Sequence, residues 1–136
     1  MIERLIVASL IIGIGFALYR FGTRAQMRRT SAFIAYDPLL SSLKPGIPAV
    51  VYFTTPTCAP CRFQQMPALE QLQRALGNGV QIIRIDATEQ PHDADRWGVI
   101  SVPTTFIVDK RGQTRAVNHG VADARKLQTQ IASAAI

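Results

Sequence analysis

Both cysteines of this chain stand three positions apart, as Cys58-Ala59-Pro60-Cys61, between a continuous apolar run and a stretch of helical periodicity. That placement narrows the possible folds more than any other feature. Ala49-Val50-Val51-Tyr52-Phe53-Thr54 is β-branched and aromatic, is entered through Pro45-Gly46 and Pro48, and suits a strand buried on both faces. From Cys61 to Leu76 the apolar residues Phe63, Met66, Leu69, Leu72, Ala75 and Leu76 recur at helical spacing, and Gly77-Asn78-Gly79 stops the helix. The two sulfurs therefore sit where a buried strand turns into a helix.

The rest of the pattern extends that unit. Val80 to Asp86 reads as a second buried strand, and a short helix is expected near Asp93 to Trp97, after Pro91. Thr104 to Asp109 is a strand, Lys110-Arg111-Gly112-Gln113 a hairpin turn, Thr114 to Asn118 a further strand, and Ala122 to Ala135 a closing helix. Upstream, Ser31 to Tyr36 is a weak strand and Pro38 to Leu43 a short helix. Strands alternating with helices and ending in a hairpin predict an α/β domain with a mixed sheet flanked by helices. A chain of 136 residues, 48% hydrophobic and 18% charged, can bury one core, so a second folded domain is not expected.

Leu5 to Tyr19 carries no charge, is bounded by Arg4 and Arg20, and places Tyr19 and Phe21 where interfacial aromatics sit. At about 1.5 Å per residue this run spans roughly 22 Å, short of a hydrocarbon core of roughly 30 Å, so both arginines would have to snorkel or the bilayer thin. A cleaved signal peptide could use Gly15-Phe16-Ala17, but Arg20, Arg24, Arg28 and Arg29 follow at once and oppose translocation. The reading preferred is a single-pass anchor over residues 1–21 that meets lipid through 5–21, then a basic linker over 22–30 and one domain over 31–136. The net charge of +6 fits it: Met1 to Ile34 holds five Arg and one Glu, the remainder ten Lys/Arg and eight Asp/Glu. No basic stripe interleaved with aromatics follows, and no nucleic-acid partner is expected. The Arg-rich flank lies after the apolar run, which predicts that the domain stays on the cytoplasmic side.

Two cysteines in one Cys-x-x-Cys do not make a disulfide-stapled scaffold, which needs many spread along a short chain. They are chemical rather than structural. At the first turn of a helix, unpaired amides and the positive end of the macrodipole favour a thiolate at Cys58, lowering its pKa from about 8.5 towards neutrality, and the thiolate is the attacking form. Two intervening residues let Cys61 reach the sulfur of Cys58, and Pro60 restricts the loop without costing a helical hydrogen bond so early. A zinc knuckle needs four ligands; beyond the cysteines there are only His92 and His119, neither with partner spacing, so no metal and no cofactor are expected. His92 reads as a solvated loop residue, His119 as a strand-end residue, and Trp97 and Tyr52 as core.

Over roughly Ser31 to Ile136 the chain resembles the thioredoxin family. The resemblance rests on Val50-Val51-Tyr52-Phe53, Cys58-Ala59-Pro60-Cys61-Arg62, Ile85-Asp86, Trp97-Gly98-Val99, Val102-Pro103-Thr104, and Gly112 and Gly120, in that order. It implies a thioredoxin-like fold and a thiol–disulfide oxidoreductase that reduces protein disulfides, supplied with electrons by an unidentified donor or reductase. It implies Cys58 and Cys61 as catalytic residues, and Pro60, Val102, Pro103 and Thr104 at the substrate, with Pro103 cis and the Val102 backbone pairing with the substrate chain. Five departures accompany it: Thr57 replaces the usual Trp, Tyr52 the buried acid beneath the second Cys, Ile82 the partnering Lys, Ala59-Pro60 the usual Gly-Pro, and Pro67 lies six residues after Cys61 rather than five. The last predicts a displaced kink in the helix. Two other functions remain open: an extracytoplasmic relative in disulfide formation or cytochrome maturation, and a redox-silent, membrane-tethered binding module using the sheet and the Pro103 loop. The second is disfavoured because binding alone needs no pair of thiols.

Overall fold

The computed structural model describes residues 1–34 and 37–134, with side chains from 1–22 and 37–134. The chain divides into two compact units, Met1–Phe33 and Ile34–Ile136. The first is one helix, α1 (Ile2–Ile34). Its segment Ile2–Gly22 is long and apolar enough to cross a membrane, with mean hydropathy 1.9 and none of it buried. A signal sequence has the same length and composition. These 21 residues rise about 31 Å, so the helix is longer than the uncharged run alone suggests, because it takes in Glu3, Arg4 and Arg20. Helix continues through the Arg-rich stretch to Ile34. The weak strand expected over Ser31 to Tyr36 is not formed where it is described, since residues 31–34 finish α1 and Ala35 and Tyr36 lie outside the described residues.

The second unit runs α2 (Pro38–Ser41), β1 (Ala49–Thr54), a π-helical turn (Cys61–Gln65) leading into α3 (Met66–Leu76), β2 (Gln81–Asp86), α4 (Pro91–Arg96), β3 (Thr104–Val108), β4 (Thr114–His119) and α5 (Ala124–Ala134). The sheet order is β2-β1-β3-β4, with β1 parallel to β2 and antiparallel to β3, and β3 antiparallel to β4. This is a thioredoxin-like mixed sheet flanked by helices.

β1 and β3 are buried throughout because both are interior strands with a helix layer on each face. Alternation along β1 sends Val50 and Tyr52 into one core with both cysteines, Leu69, Leu72, Leu127 and Ile131, and sends Ala49, Val51 and Phe53 into another with Ile85, Trp97 and Phe106. In the second core Phe53, Trp97 and Phe106 meet with ring centroids 4.9 to 5.9 Å apart. β2, read from sequence as buried, is half-buried for the most part because it forms a sheet edge. α5 starts at Ala124 rather than Ala122, since Asp123 caps it, accepting the Lys126 N–H at 2.7 Å. Its side chain Gln130 exchanges two hydrogen bonds with the buried amide of Asn118, at 2.8 and 2.9 Å, which pins the helix to β4.

Candidate active site

β1 ends at Thr54, and four residues bring the chain to the start of a helix. Thr55 is half-buried, Pro56 and Thr57 are exposed, and the Cys58 N–H closes the turn by donating to the Thr55 carbonyl at 3.3 Å. Helix begins at Ala59, which leaves Cys58 as the capping residue. Its sulfur does what a Ser or Asp oxygen does in that position: Sγ accepts the Cys61 N–H at 3.2 Å, while its carbonyl accepts the Arg62 N–H at 3.3 Å. An amide aimed at sulfur from a helix start favours a negative charge there.

The two sulfurs are bonded to each other at 2.07 Å, with the Cα atoms 5.2 Å apart. Cys58 keeps 8% of its surface open and Cys61 none. Pro60 is exposed in the first helical turn at φ −59°, where its missing N–H leaves no bond unmade. The Val102–Pro103 bond is cis. Val102 is half-buried and packs against the core that contains both cysteines, and Pro103 is buried. Thr104 is buried entirely, with its hydroxyl donated to the Ser101 carbonyl at 2.6 Å, so its side chain shapes the proline loop from within. Pro103 in turn accepts the Gly120 N–H at its carbonyl, 2.9 Å away; Gly120 stands at φ +90°, a conformation that side-chain-bearing residues rarely adopt.

Beneath the pair, Tyr52 is 1% exposed, and its hydroxyl lies 3.4 Å from the Cys61 carbonyl, towards which it donates. Burial pushes the phenol above its ordinary value, against smaller opposing effects from the Thr54 hydroxyl and the Arg84 charge. Tyr52 is therefore a neutral donor at physiological pH. Ile82 is half-buried against the same core. Neither position offers the disulfide a charge. His92 and His119 are exposed, and among the described residues no cluster of three or more His, Cys, Asp or Glu side chains is assembled as a metal would require.

The additional residue before Pro67 is absorbed as a π-helical turn, Cys61–Gln65, in which the Met66 N–H reaches back five residues to the Cys61 carbonyl. Pro67 then falls in the first turn of α3. Two helix positions read from sequence change face. Phe63 is exposed and lies beneath the Arg62 guanidinium at 5.7 Å from its ring centroid, and Ala75 is exposed while Ala68 is buried. Gln65, a polar residue outside the run of apolar positions, is fully buried. Its amide donates to the Ala122 carbonyl at 3.0 Å and accepts the Ala122 N–H at 2.9 Å. A signal existed: at 100° per residue Gln65 falls between Leu69 and Leu72 on the core stripe, whereas Phe63 falls opposite.

A thioredoxin family model matches residues 35–133. The chain is 40% identical over 85 residues to a thioredoxin of Rhodospirillum rubrum, covering 62% of this chain and 80% of that one. It is 33% identical over 76 residues to a thioredoxin of Bacillus subtilis, covering 56% and 71%. Among solved structures it is similar to mitochondrial thioredoxin 3 of Saccharomyces cerevisiae in its oxidized form, with a TM-score of 0.58 and 26% identity over 70% of this chain and 83% of that one. A bonded sulfur pair at a helix start, facing a cis-proline loop in a chain so matched, has one established kind of chemistry: the chain belongs to the thioredoxin family and is a thiol–disulfide oxidoreductase.

Proposed function

We propose that the chain reduces protein disulfides, with Cys58 as attacking thiol and Cys61 as resolving thiol. The Cys58 thiolate attacks one sulfur of a substrate disulfide; the substrate S–S bond breaks, and the other substrate sulfur leaves as a thiolate that takes up a proton. Cys61 then loses its proton and attacks Cys58, which releases the second substrate sulfur and leaves the Cys58–Cys61 disulfide. Two electrons have passed to the substrate, so a dithiol or reductase must restore the pair before the next turnover. The single observation that carries the assignment is the asymmetry of the two sulfurs. Cys58 is the more open and caps the helix with a backbone amide on its sulfur, whereas Cys61 is sealed.

On this reading the backbone of Val102, held by the cis bond to Pro103, pairs with the substrate chain, Pro60 borders the approach, and Thr104 supports the proline loop from within. Support comes from the apolar side chains left in water. Among the described residues of the second unit, the large exposed ones are Phe63, Ile100 and Val121. They stand respectively two residues after Cys61, two before Val102 and one after Gly120. Exposed apolar side chains this near in sequence to the cysteines and the cis-proline loop favour substrates with apolar residues beside the disulfide.

We further read residues 1–21 as an uncleaved single-pass anchor meeting lipid, 22–30 as its basic connector and 31–136 as the catalytic domain, kept cytoplasmic by Arg20, Arg24, Arg28 and Arg29. The attacking thiol is tested directly by alkylation. In the reduced protein at neutral pH, limited iodoacetamide should modify Cys58 about tenfold faster than Cys61, and Cys61→Ser should accumulate a stable mixed disulfide with substrate. Faster modification of Cys61 would reverse the two roles.

A further inference from the structure

Gln65 closes the π-helical turn that starts at Cys61, and a fully buried glutamine needs partners for both ends of its amide. One residue supplies them. The Nε2 donates to the Ala122 carbonyl at 3.0 Å and the Oε1 accepts the Ala122 N–H at 2.9 Å, across a sequence separation of 57. Two residues before Ala122, the Gly120 N–H donates to the Pro103 carbonyl at 2.9 Å. One short loop between β4 and α5 therefore ties the cysteine-bearing turn to the cis-proline segment, and Gln65 is the side chain that holds the cysteine end.

We propose that Gln65 is a positioning residue for protein substrates: it sets the spacing between the Cys58 sulfur and the Val102–Pro103 edge. The proposal rests on the reading that a substrate backbone lies along that edge. A small disulfide needs only an accessible sulfur. A disulfide within a polypeptide must also be in register with the edge, and a displacement of about 1 Å in a positioning element can cost two orders of magnitude in rate. A glutamine that served the fold alone would affect both substrates alike.

The test uses the full chain in detergent, kept reduced by an excess of a small dithiol whose uncatalysed rate is subtracted, with hydroxyethyl disulfide as the small substrate and insulin as the protein one. Gln65→Met fills the same space without the two bonds. It should leave the rate on hydroxyethyl disulfide within about twofold of wild type and raise KM for insulin about tenfold with kcat little changed. Gln65→Glu adds a pH signature. A protonated carboxyl keeps the amide's pattern of one donor and one acceptor, whereas a carboxylate turns two acceptors towards the Ala122 carbonyl, and burial raises the pKa at which one becomes the other. The insulin KM of Gln65→Glu, relative to wild type at the same pH, should be near one at pH 6 and rise about tenfold by pH 9.

Equal losses on both substrates, no change on either in folded Gln65→Met, or a flat pH ratio for Gln65→Glu would each overturn the proposal. Should Gln65→Met fail to fold, the Gln65→Glu ratio decides. Failure of Gln65→Glu to fold at pH 6 would make Gln65 a determinant of the fold and end the proposal too. Wild-type protein that reduces hydroxyethyl disulfide but not insulin would instead remove the substrate-edge reading, and the proposal with it, without any variant being needed.

Discussion

At the scale of single residues, the chemistry turns on what surrounds two sulfurs. Cys58 faces an amide and some solvent, whereas Cys61 is sealed in the core, where the Tyr52 hydroxyl donates to its backbone carbonyl. A phenol pushed above its usual pKa by burial does not take a proton at neutral pH, so Tyr52 cannot serve the resolving step as a base. Tyr52→Asp should therefore accelerate resolution of the mixed disulfide at pH 7 by about tenfold, read as the rate of substrate release in single turnover. An unchanged or slower rate in a folded variant would mean that water or the leaving thiolate already removes the proton. The cysteine pair and Pro103 were legible in the sequence because few residue types perform their roles and their spacing is short. Gln65 is harder to read, because its polarity masks an angular position on the core stripe. Its angular position marks it as core-facing, but the partner that satisfies its amide lies 57 residues away in sequence.

At the scale of elements, the strands were read nearly to their ends, since β1 and β3 lie between two layers and show it as unbroken apolar runs. β2 misled because an edge strand can carry the same residues while leaving much of them in water. The displaced kink was visible in the six-residue spacing from Cys61 to Pro67, but not its form as a π-helical turn, which depends on how the additional residue is packed. Short elements depend on caps: Asp37 accepts the Leu39 N–H at 2.9 Å to start α2 and accepts Arg96 Nε at 3.0 Å from α4. Burial alone would raise the Asp37 carboxyl, yet the Arg96 guanidinium and the Leu39 amide outweigh it and hold it below the usual range. Asp109 is lowered as well, against burial, by the Gln113 amide, Arg115 and the Arg111 amide. A carboxylate lowered in the folded state adds stability that is complete above its unfolded value, about pH 4, and is lost as pH falls through the folded value. Asp37→Asn keeps the cap but not the charge. It should lower the melting temperature by a few degrees at pH 7 and flatten the decline below about pH 4. A decline as steep as that of wild type would remove Asp37 from the acid response.

At the scale of the whole molecule, an apolar helix of membrane-spanning length precedes the thioredoxin-like domain, and on the proposed anchor reading the side on which that domain lies decides which disulfides it meets. Beside the apolar segment, Arg4 and the α-amine, offset by Glu3, stand on one flank and Arg20, Arg24, Arg28 and Arg29 on the other. A membrane-impermeant maleimide, applied to intact cells after mild reduction, should therefore leave Cys58 unlabelled until the cells are permeabilised. Labelling in intact cells would place the domain outside and favour disulfide formation or cytochrome maturation. Whichever side it occupies, the chemistry is tested most directly by counting thiols. The reduced chain is mixed with a protein disulfide and quenched in acid, and the thiols on each partner are alkylated and counted. Wild type should lose both of its thiols while two appear on the substrate, and Cys58→Ser should transfer none. Exchange by Cys58→Ser at the wild-type rate, or no exchange by wild type, would contradict a dithiol reductase acting through Cys58 and Cys61.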